Sequence, residues 1–386
     1  MNARIDKIRS QLNRYYGLLE RHPSNPGLRG EIADLHLQLG ESTQARKILE
    51  HALSRWPDDA GLKSRLASVA IAGSKLDEAI AILQGLRQAG TDHSVIRYNL
   101  ACAMVLAGRF AEAKDLLVSV LDRPDDAPRA PLLLAQALHH LGEAEEAARY
   151  AKASLTRHPE DPQALGVLAL ASLDSSDDTT AKESAEKALR LNPVDLNALI
   201  TLGSLALAGQ NESEATTYFE RAVARHPTSG RAWSGRGLGA MLKLDLDRAL
   251  EYFHRAVQYM PGHVGTWNSL AWCQILKNDL KGAQRSFERA MELDRNFGDT
   301  HGGLAVIAVL QNRPEEAKDM VKRALRLDPT SFAGRFAQSL LTGKSDPQKA
   351  ERMIQEILLS PVGPGGEALR DALTRVMSKR NSPDKS

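Results

Sequence analysis

Between residues 230 and 263 the side chains fall on two helical stripes. Trp233, Arg236, Gly237 and Ala240 stand at i, i+3, i+4 and i+7, one face of a helix. Leu246, Ala249, Leu250, Phe253 and Ala256 make a second stripe. Leu244 and Asp245 lie between them, where other copies of the pattern carry glycine, at Gly40, Gly108 and Gly142. The segment therefore predicts two short helices joined by a tight turn. Small residues at Gly237 and Ala249 let the two helices approach; large ones there would strain the packing. Pro261 stops the second helix.

The same unit recurs along the chain. Prolines stand at Pro23, Pro57, Pro159, Pro193, Pro227, Pro261 and Pro329, and every gap is a multiple of 34. The missing beats fall at Thr91, Asp125 and Arg295. An alanine keeps the register from Ala45 to Ala317, and a small residue does so from Ala33 to Ala305. A fixed period of this length is the sign of a stacked repeat architecture.

Trp233, Gly237, Ala249, Phe253, Ala256 and Pro261 resemble the tetratricopeptide-repeat (TPR) pattern, as do Trp267, Leu270, Ala271, Ala283, Phe287 and Ala290 one unit later. The resemblance covers residues 26–331 as nine repeats, with a degenerate tenth at 332–360. It implies an all-α fold, a right-handed superhelical solenoid of stacked helix-turn-helix units with a concave inner face.

Residues 1–25 read as an N-terminal capping helix, with Ile5, Ile8, Leu12, Tyr15 and Leu19 on its apolar face. Its basic residues, Arg4, Lys7, Arg9 and Arg14, read as a solvated outer face. Repeat 3 ends one place early, at Pro124, and repeat 5 replaces the inter-helix glycine with Ser175-Ser176-Asp177-Asp178, good N-cap chemistry. Residues 361–386 read as a linker, a C-terminal amphipathic helix carrying Leu369, Ala372, Leu373, Val376 and Met377, and a disordered end from about Asn381. That helix is expected to cap the open end of the solenoid, since an exposed terminal repeat is poorly soluble.

Composition narrows the function. The net charge of +2 makes no electrostatic case for nucleic acid or an anionic membrane. No apolar run is long enough to span a bilayer, and Met1 to Tyr16 lacks the apolar core of a signal peptide. A cytoplasmic location is expected, with Cys102 and Cys273 as reduced thiols five repeats apart. No Cys-x-x-Cys, His-Glu-x-x-His or Gly-x-Ser-x-Gly is present. Gly235-Arg236-Gly237-Leu238-Gly239-Ala240 looks like a phosphate loop, but it lies inside a predicted helix with no strand before it. His139-His140 point different ways on a helix and make no metal site by themselves. No enzyme activity, cofactor or metal is expected.

The TPR resemblance implies an inner groove lined by unit positions 2, 5, 6, 9, 12 and 13. In the N-terminal half these are polar: Glu31, Asp34, Arg65, Asn99, Arg129, Gln136, His139 and Gln163. No lysine stands beside Asn99, which disfavours the carboxylate clamp of chaperone-type relatives. In repeats 6 to 9 the groove is expected to be apolar. Ile200, Leu207, Leu238, Met241 and Leu242 line its first half; Trp272, Ile275, Leu276, Val306, Val309 and Leu310 line the second. Asn197, Arg231 and Asn268 could fix the register of a bound backbone. Trp272 is the expected anchor, because Trp267 already fills the aromatic core position of that repeat. The expected function is a non-catalytic scaffold, adaptor or chaperone that binds a peptide or amphipathic helix of a partner protein. The alternatives are a regulatory subunit docking an enzyme by its convex face or ends, and an RNA-binding helical repeat. Contact with a membrane would be indirect, through a partner.

Overall fold

The computed structural model describes residues 2–121, 127–358, 361–362 and 367–368. These form 21 helices and one pair of two-residue strands, Pro361–Val362 against Glu367–Ala368. The chain divides into two compact units, Met1–Ala171 and Ser172–Ser386. In the first, α1 (Asn2–Arg21) precedes four helix pairs. They are α2 (Pro26–Gln38) with α3 (Ser42–Leu53), α4 (Ala60–Ala72) with α5 (Leu76–Gln88), α6 (Ser94–Leu106) with α7 (Phe110–Val118), and α8 (Ala130–His140) with α9 (Ala144–Arg157). The boundary falls inside α10 (Pro162–Asp174), which is followed by α11 (Asp178–Leu191). The second unit continues with α12 (Leu196–Ala208) and α13 (Glu212–Arg225), then α14 (Gly230–Leu242) and α15 (Leu246–Tyr259). α16 (Val264–Leu276) pairs with α17 (Leu280–Leu293), and α18 (Gly298–Leu310) with α19 (Pro314–Leu327). α20 (Phe332–Gly343) and α21 (Pro347–Leu358) end the series.

From α1 to α9, and from α11 to α21, each helix packs on the next. The first helix of a pair also touches the first helix of the following pair, as α14 touches α16 and α16 touches α18. This is the helical-repeat solenoid that the spacing predicts. The terminator at Pro124, the last helix carrying Leu369 to Met377 and the tail from Asn381 lie outside the described residues.

The turn inside each pair is a shared device. Gly40, Ser74, Gly108, Gly142, Ser176, Gln210, Leu244, Asn278 and Asn312 stand 34 residues apart, and all take left-handed φ between 57° and 80°. In each, the backbone folds back on the ending helix: Leu244 N–H bonds Met241 O at 2.9 Å and Asp245 N–H bonds Ala240 O at 3.0 Å. That pattern satisfies carbonyls a helix would otherwise leave open. Glycine marks only three of the nine turns. Leu244 is the bulky exception, at φ 58° with 43% of its surface exposed. A left-handed residue with a Cβ costs roughly 1–2 kcal/mol, and glycine's extra entropy in the unfolded chain costs about 0.5–1 kcal/mol. Leu244→Gly is therefore expected to stabilise the second unit by roughly 0.5–1 kcal/mol. A raised urea midpoint would show it; a lowered one would mean that Leu244 makes contacts outweighing its strain.

Phenylalanines fill the joints of the second unit. Phe219, Phe253 and Phe287 recur at one unit position and are at most 2% exposed. Glycines make room for the rings. A Cβ on Gly203 would sit 2.8 Å from the Phe219 ring, and one on Gly235, in the next pair, 2.3 Å from it. In the first unit Leu49, Leu83 and Leu117 hold the same place, fully buried. A second contact, 34 residues apart, ties three successive pairs to the end of the one before. Trp233 Nε1 donates to Pro227 O at 2.8 Å, Trp267 Nε1 to Pro261 O at 2.9 Å, and His301 Nε2 to Arg295 O at 2.8 Å. Arg29 does the same to Pro23 O at 3.1 Å in the first repeat.

Helix α1 buries Ile8 and Leu12 against Ile32 and Leu35. A polar relay fastens it. The Tyr16 hydroxyl meets His36 Nε2 at 2.8 Å, and the Glu41 carboxylate accepts from His36 Nδ1 at 2.6 Å.

Candidate functional site

Neither thiol is set up for chemistry. Burial pushes the Cys273 thiol up to about 11, and burial also raises Cys102. Both are free cysteines, and a protonated thiol is a poor nucleophile. Burial likewise raises the neighbouring Tyr98 hydroxyl. His140 stacks flat on Phe110, with ring centres 4.2 Å apart, while His139 stands edge-on to it. Among the described residues no three His, Cys, Asp or Glu side chains are grouped to hold a metal.

In the first unit the polar inner positions come together. Asp34, Arg65 and Asn99 line one cavity of about 360 Å³, with Ser64, Ser68 and His93. Its charges are already matched. Arg65 donates to Asp34 Oδ2 at 2.8 Å and to Glu31 Oε1 at 3.0 Å. Arg129 bridges to the next repeat through Asp161 Oδ2 at 3.1 Å and Gln163 Oε1 at 2.9 Å. Gln136 and His139 are half-buried on α8. In the second unit Arg231 pairs with Asp174, and Asn197 is half-buried beside Asp195, the N-cap of α12. Each of these inner arginines is thus paired with a carboxylate of its own unit.

The apolar positions of the second unit separate into two groups. Leu207, Leu238, Met241 and Ile275 are half-exposed, and Leu242 is 40% exposed. Although Leu207 packs against Phe219, Leu238 and Met241 against the Phe253 cluster, and Ile275 against the Phe287 and Val306 clusters, they keep part of their surface. Ile200, Val306, Val309 and Asn268 do not: they are 3%, 1%, 8% and 6% exposed, and they leave the candidate set. The reason is contact between the first helices of neighbouring pairs. Asn268 Nδ2 bonds Thr300 Oγ1 of α18 and Val264 O, each at 3.0 Å. Ile200 holds the same unit position two repeats earlier. Val306 and Val309 are covered by α20, whose Ala337, Leu340 and Leu341 pack on them. That cover is unusually close. A Cβ on Gly302 would lie 2.3 Å from the Gly334 backbone nitrogen, so only glycine lets α20 reach α18 there.

Trp272 is also partly covered. Its ring is edge-on to the core residue Phe287, with centres 6.1 Å apart. On its other sides stand Phe332 at 6.0 Å and Phe336 at 6.4 Å, two rings of α20 stacked on each other. Sequence reasoning passed over Phe332 and Phe336. The available signal was two phenylalanines at i and i+4, a helical pair on one face. It also passed over Leu244, because Leu244 looked only like a missing glycine.

The tetratricopeptide-repeat family models match residues 43–105, 104–171 and 276–337, and residues 167–230 and 200–263. Together these spans exceed half of the chain. The protein belongs to the tetratricopeptide-repeat family. No curated protein matches the chain significantly. Among solved structures, the crystal structure of the APC/C hetero-tetramer Cut9–Hcn1 aligns over 88% of this chain and 94% of that one, at 13% identity and TM-score 0.51. A monomeric mutant of IFIT1 with Gppp-AAAA aligns over 83% of this chain and 82% of its own, at 19% identity and TM-score 0.53. A second IFIT1 mutant, with m7Gppp-AAAA, aligns over 91% and 94%, at 14% identity and TM-score 0.54. At these identities the likeness is one of fold. The TPR scaffold supports a role in protein interaction, and no described helix is long and apolar enough to cross a membrane.

Proposed function

We propose that this TPR protein is a non-catalytic scaffold, adaptor or chaperone that takes a helix or apolar segment of a partner protein on the inner face of its second unit. One observation carries the reading. Leu207, Leu238, Met241 and Ile275 stay half-exposed although Phe219, Phe253 and Phe287 already fill the joints beneath them. Large apolar side chains that pack on the core from one side and stay part-exposed on the other are typical of contact surfaces. The first unit's inner face, with its internally paired arginines, supplies polar orientation at most.

A photo-crosslinking residue placed at Met241 or Ile275 should capture one partner polypeptide in the native cell. The same residue at His254, exposed on α15, should not. Capture from His254 alone would move binding to the outer face, as expected of a docked regulatory subunit. The IFIT1 neighbours bound to Gppp-AAAA and m7Gppp-AAAA raise RNA as a second reading. The carboxylate partners of Arg65, Arg129 and Arg231 argue against it. A labelled RNA oligomer should bind no tighter than the roughly 10⁻⁴–10⁻⁶ M of non-specific contact at physiological salt. Nanomolar binding with steep salt dependence would put RNA in place of the protein partner.

A further inference from the structure

We propose that the exposed leucines ending α14, α16 and α18 dock an acidic amphipathic helix of another protein, one with an apolar residue at every seventh position. The inference rests on the protein-binding reading above and names the chemistry of the partner. Leu242, Leu276 and Leu310 are the last residues of three successive first helices, 34 residues apart, and are 40%, 53% and 50% exposed. In the first unit only Leu106 matches; its companions there are Gln38, Ala72 and His140. The run of leucines therefore belongs to one edge of the second unit.

A strained residue extends that edge. Leu244 sits two places beyond Leu242, in the left-handed turn position that glycine, serine, glutamine or asparagine holds in every other pair. It is 43% exposed, so close to half of its surface is left for a partner. Such strain is a pointer to function.

Geometry selects the occupant. Packed helices lie about 8–10 Å apart, and α14, α16 and α18 touch in succession. A helix rises about 10.5 Å in seven residues. Apolar residues at i, i+7 and i+14 of a helix crossing the edge would meet the three leucines in turn.

Charge selects further. Lys243 and Lys277 directly follow two of the leucines, and Lys344 continues their column. Lys243 Nζ has Thr216 Oγ1 at 3.5 Å and Lys344 Nζ has Asn312 Oδ1 at 2.8 Å, both neutral acceptors. Lys277 bonds Asp247 at 2.7 Å, a carboxylate 85% exposed. Asp245 and Asp279 at the same edge are occupied capping the N–H groups of Arg248 and Gly282. The edge thus offers Lys243 and Lys344, whose partners are neutral, to incoming carboxylates, while Lys277 would have to leave Asp247. The chain's own segment after Ala368 would bring Arg370, Arg375, Lys379, Arg380 and Lys385 against Asp371 and Asp384, and a second copy would bring the same lysines. Both would set like charge on like.

The test uses the full chain and two synthetic 22-residue helical peptides with leucine at every seventh position. One has glutamates flanking the leucines; the other has lysines. By fluorescence anisotropy the glutamate peptide should bind, and the lysine peptide should bind at least tenfold more weakly. Leu276→Gln should weaken binding tenfold or more without lowering the melting temperature. The double change Lys243→Glu with Lys277→Glu should reverse the preference. Leu244→Gly should stabilise the protein and weaken the peptide at once. Equal affinity for both peptides, no response to Leu276→Gln, tighter binding of a peptide spanning residues 366–386, or a Leu276-dependent dimer in sedimentation would each overturn the proposal. If Met241 still crosslinks a partner protein in Leu276→Gln, the edge is wrong and the wider reading stands. If no protein is captured from Met241 or Ile275 in the unaltered chain, both fall.

Discussion

Phe287→Ala should destabilise the second unit by about 3–5 kcal/mol, the range for truncating a fully buried aromatic. The ring is 0% exposed and touches both sides of a joint. It packs with Ala271 and Ala283 of its own pair and with Leu304 and Ile307 of the next. Gly303 leaves it no slack: a Cβ there would lie 2.2 Å from the ring. The backbones around it are fixed by neighbouring repeats, so the cavity cannot collapse, which puts the cost toward the upper end. A repeat array is held by nearest-neighbour interfaces, and weakening one uncouples what lies on either side. Urea unfolding of the variant should therefore split into two transitions, with amides of α18 to α21 exchanging ahead of α12 to α15. Arg285→Ala, an exposed change on the same helix, should stay within about 0.5 kcal/mol. A single unshifted transition for Phe287→Ala would mean that the joint draws its strength elsewhere.

The fold was legible because it repeats. Alanines at Ala249 and Ala283, glycines at Gly203 and Gly237, and prolines at Pro227 and Pro261 report the same local requirement many times. A period accumulates evidence that one helix cannot give. Other parts were hidden because different residues meet one need. The left-handed turn is glycine at Gly40 but Asn278 and Leu244 later, and the reach back to the preceding repeat is made by Trp233, His301 or Arg29. The candidate face was legible only in part. The period places Met241 and Val309 at equivalent positions, yet α20 leaves Val309 only 8% exposed, while Met241, packed against the cluster of Phe253 and Leu270, stays half-exposed. Which positions are covered depends on how closely one helix approaches another. That distance is set here by Gly302 against Gly334, a contact between residues 32 apart that no local pattern announces.

Trp272→Ala shows what that contact changes. From sequence alone the ring is a free anchor, and its loss should weaken partner binding while leaving stability alone. In the structure Phe287, Phe332 and Phe336 surround it, and Ala305, Val306 and Ala337 belong to the cluster it packs against. The ring is half-buried, so truncation should cost roughly 2–3 kcal/mol, short of the 3–5 kcal/mol of a fully enclosed aromatic. The loss should concentrate in α18 and α20, because Trp272 is the floor on which the stacked phenylalanines of α20 rest. Hydrogen exchange should accelerate there first, and Phe332 and Phe336 should become more accessible. Met241→Ala provides the contrast. Met241 is half-exposed over a joint already filled by Phe253, and it should change stability by about 1 kcal/mol or less while reducing partner capture. If Trp272→Ala left the melting curve intact and abolished capture, α20 would have to yield to the partner, and the face would extend to the tryptophan. If it destabilises α20 while Met241→Ala costs binding, α20 is part of the fold and the contact surface ends before it.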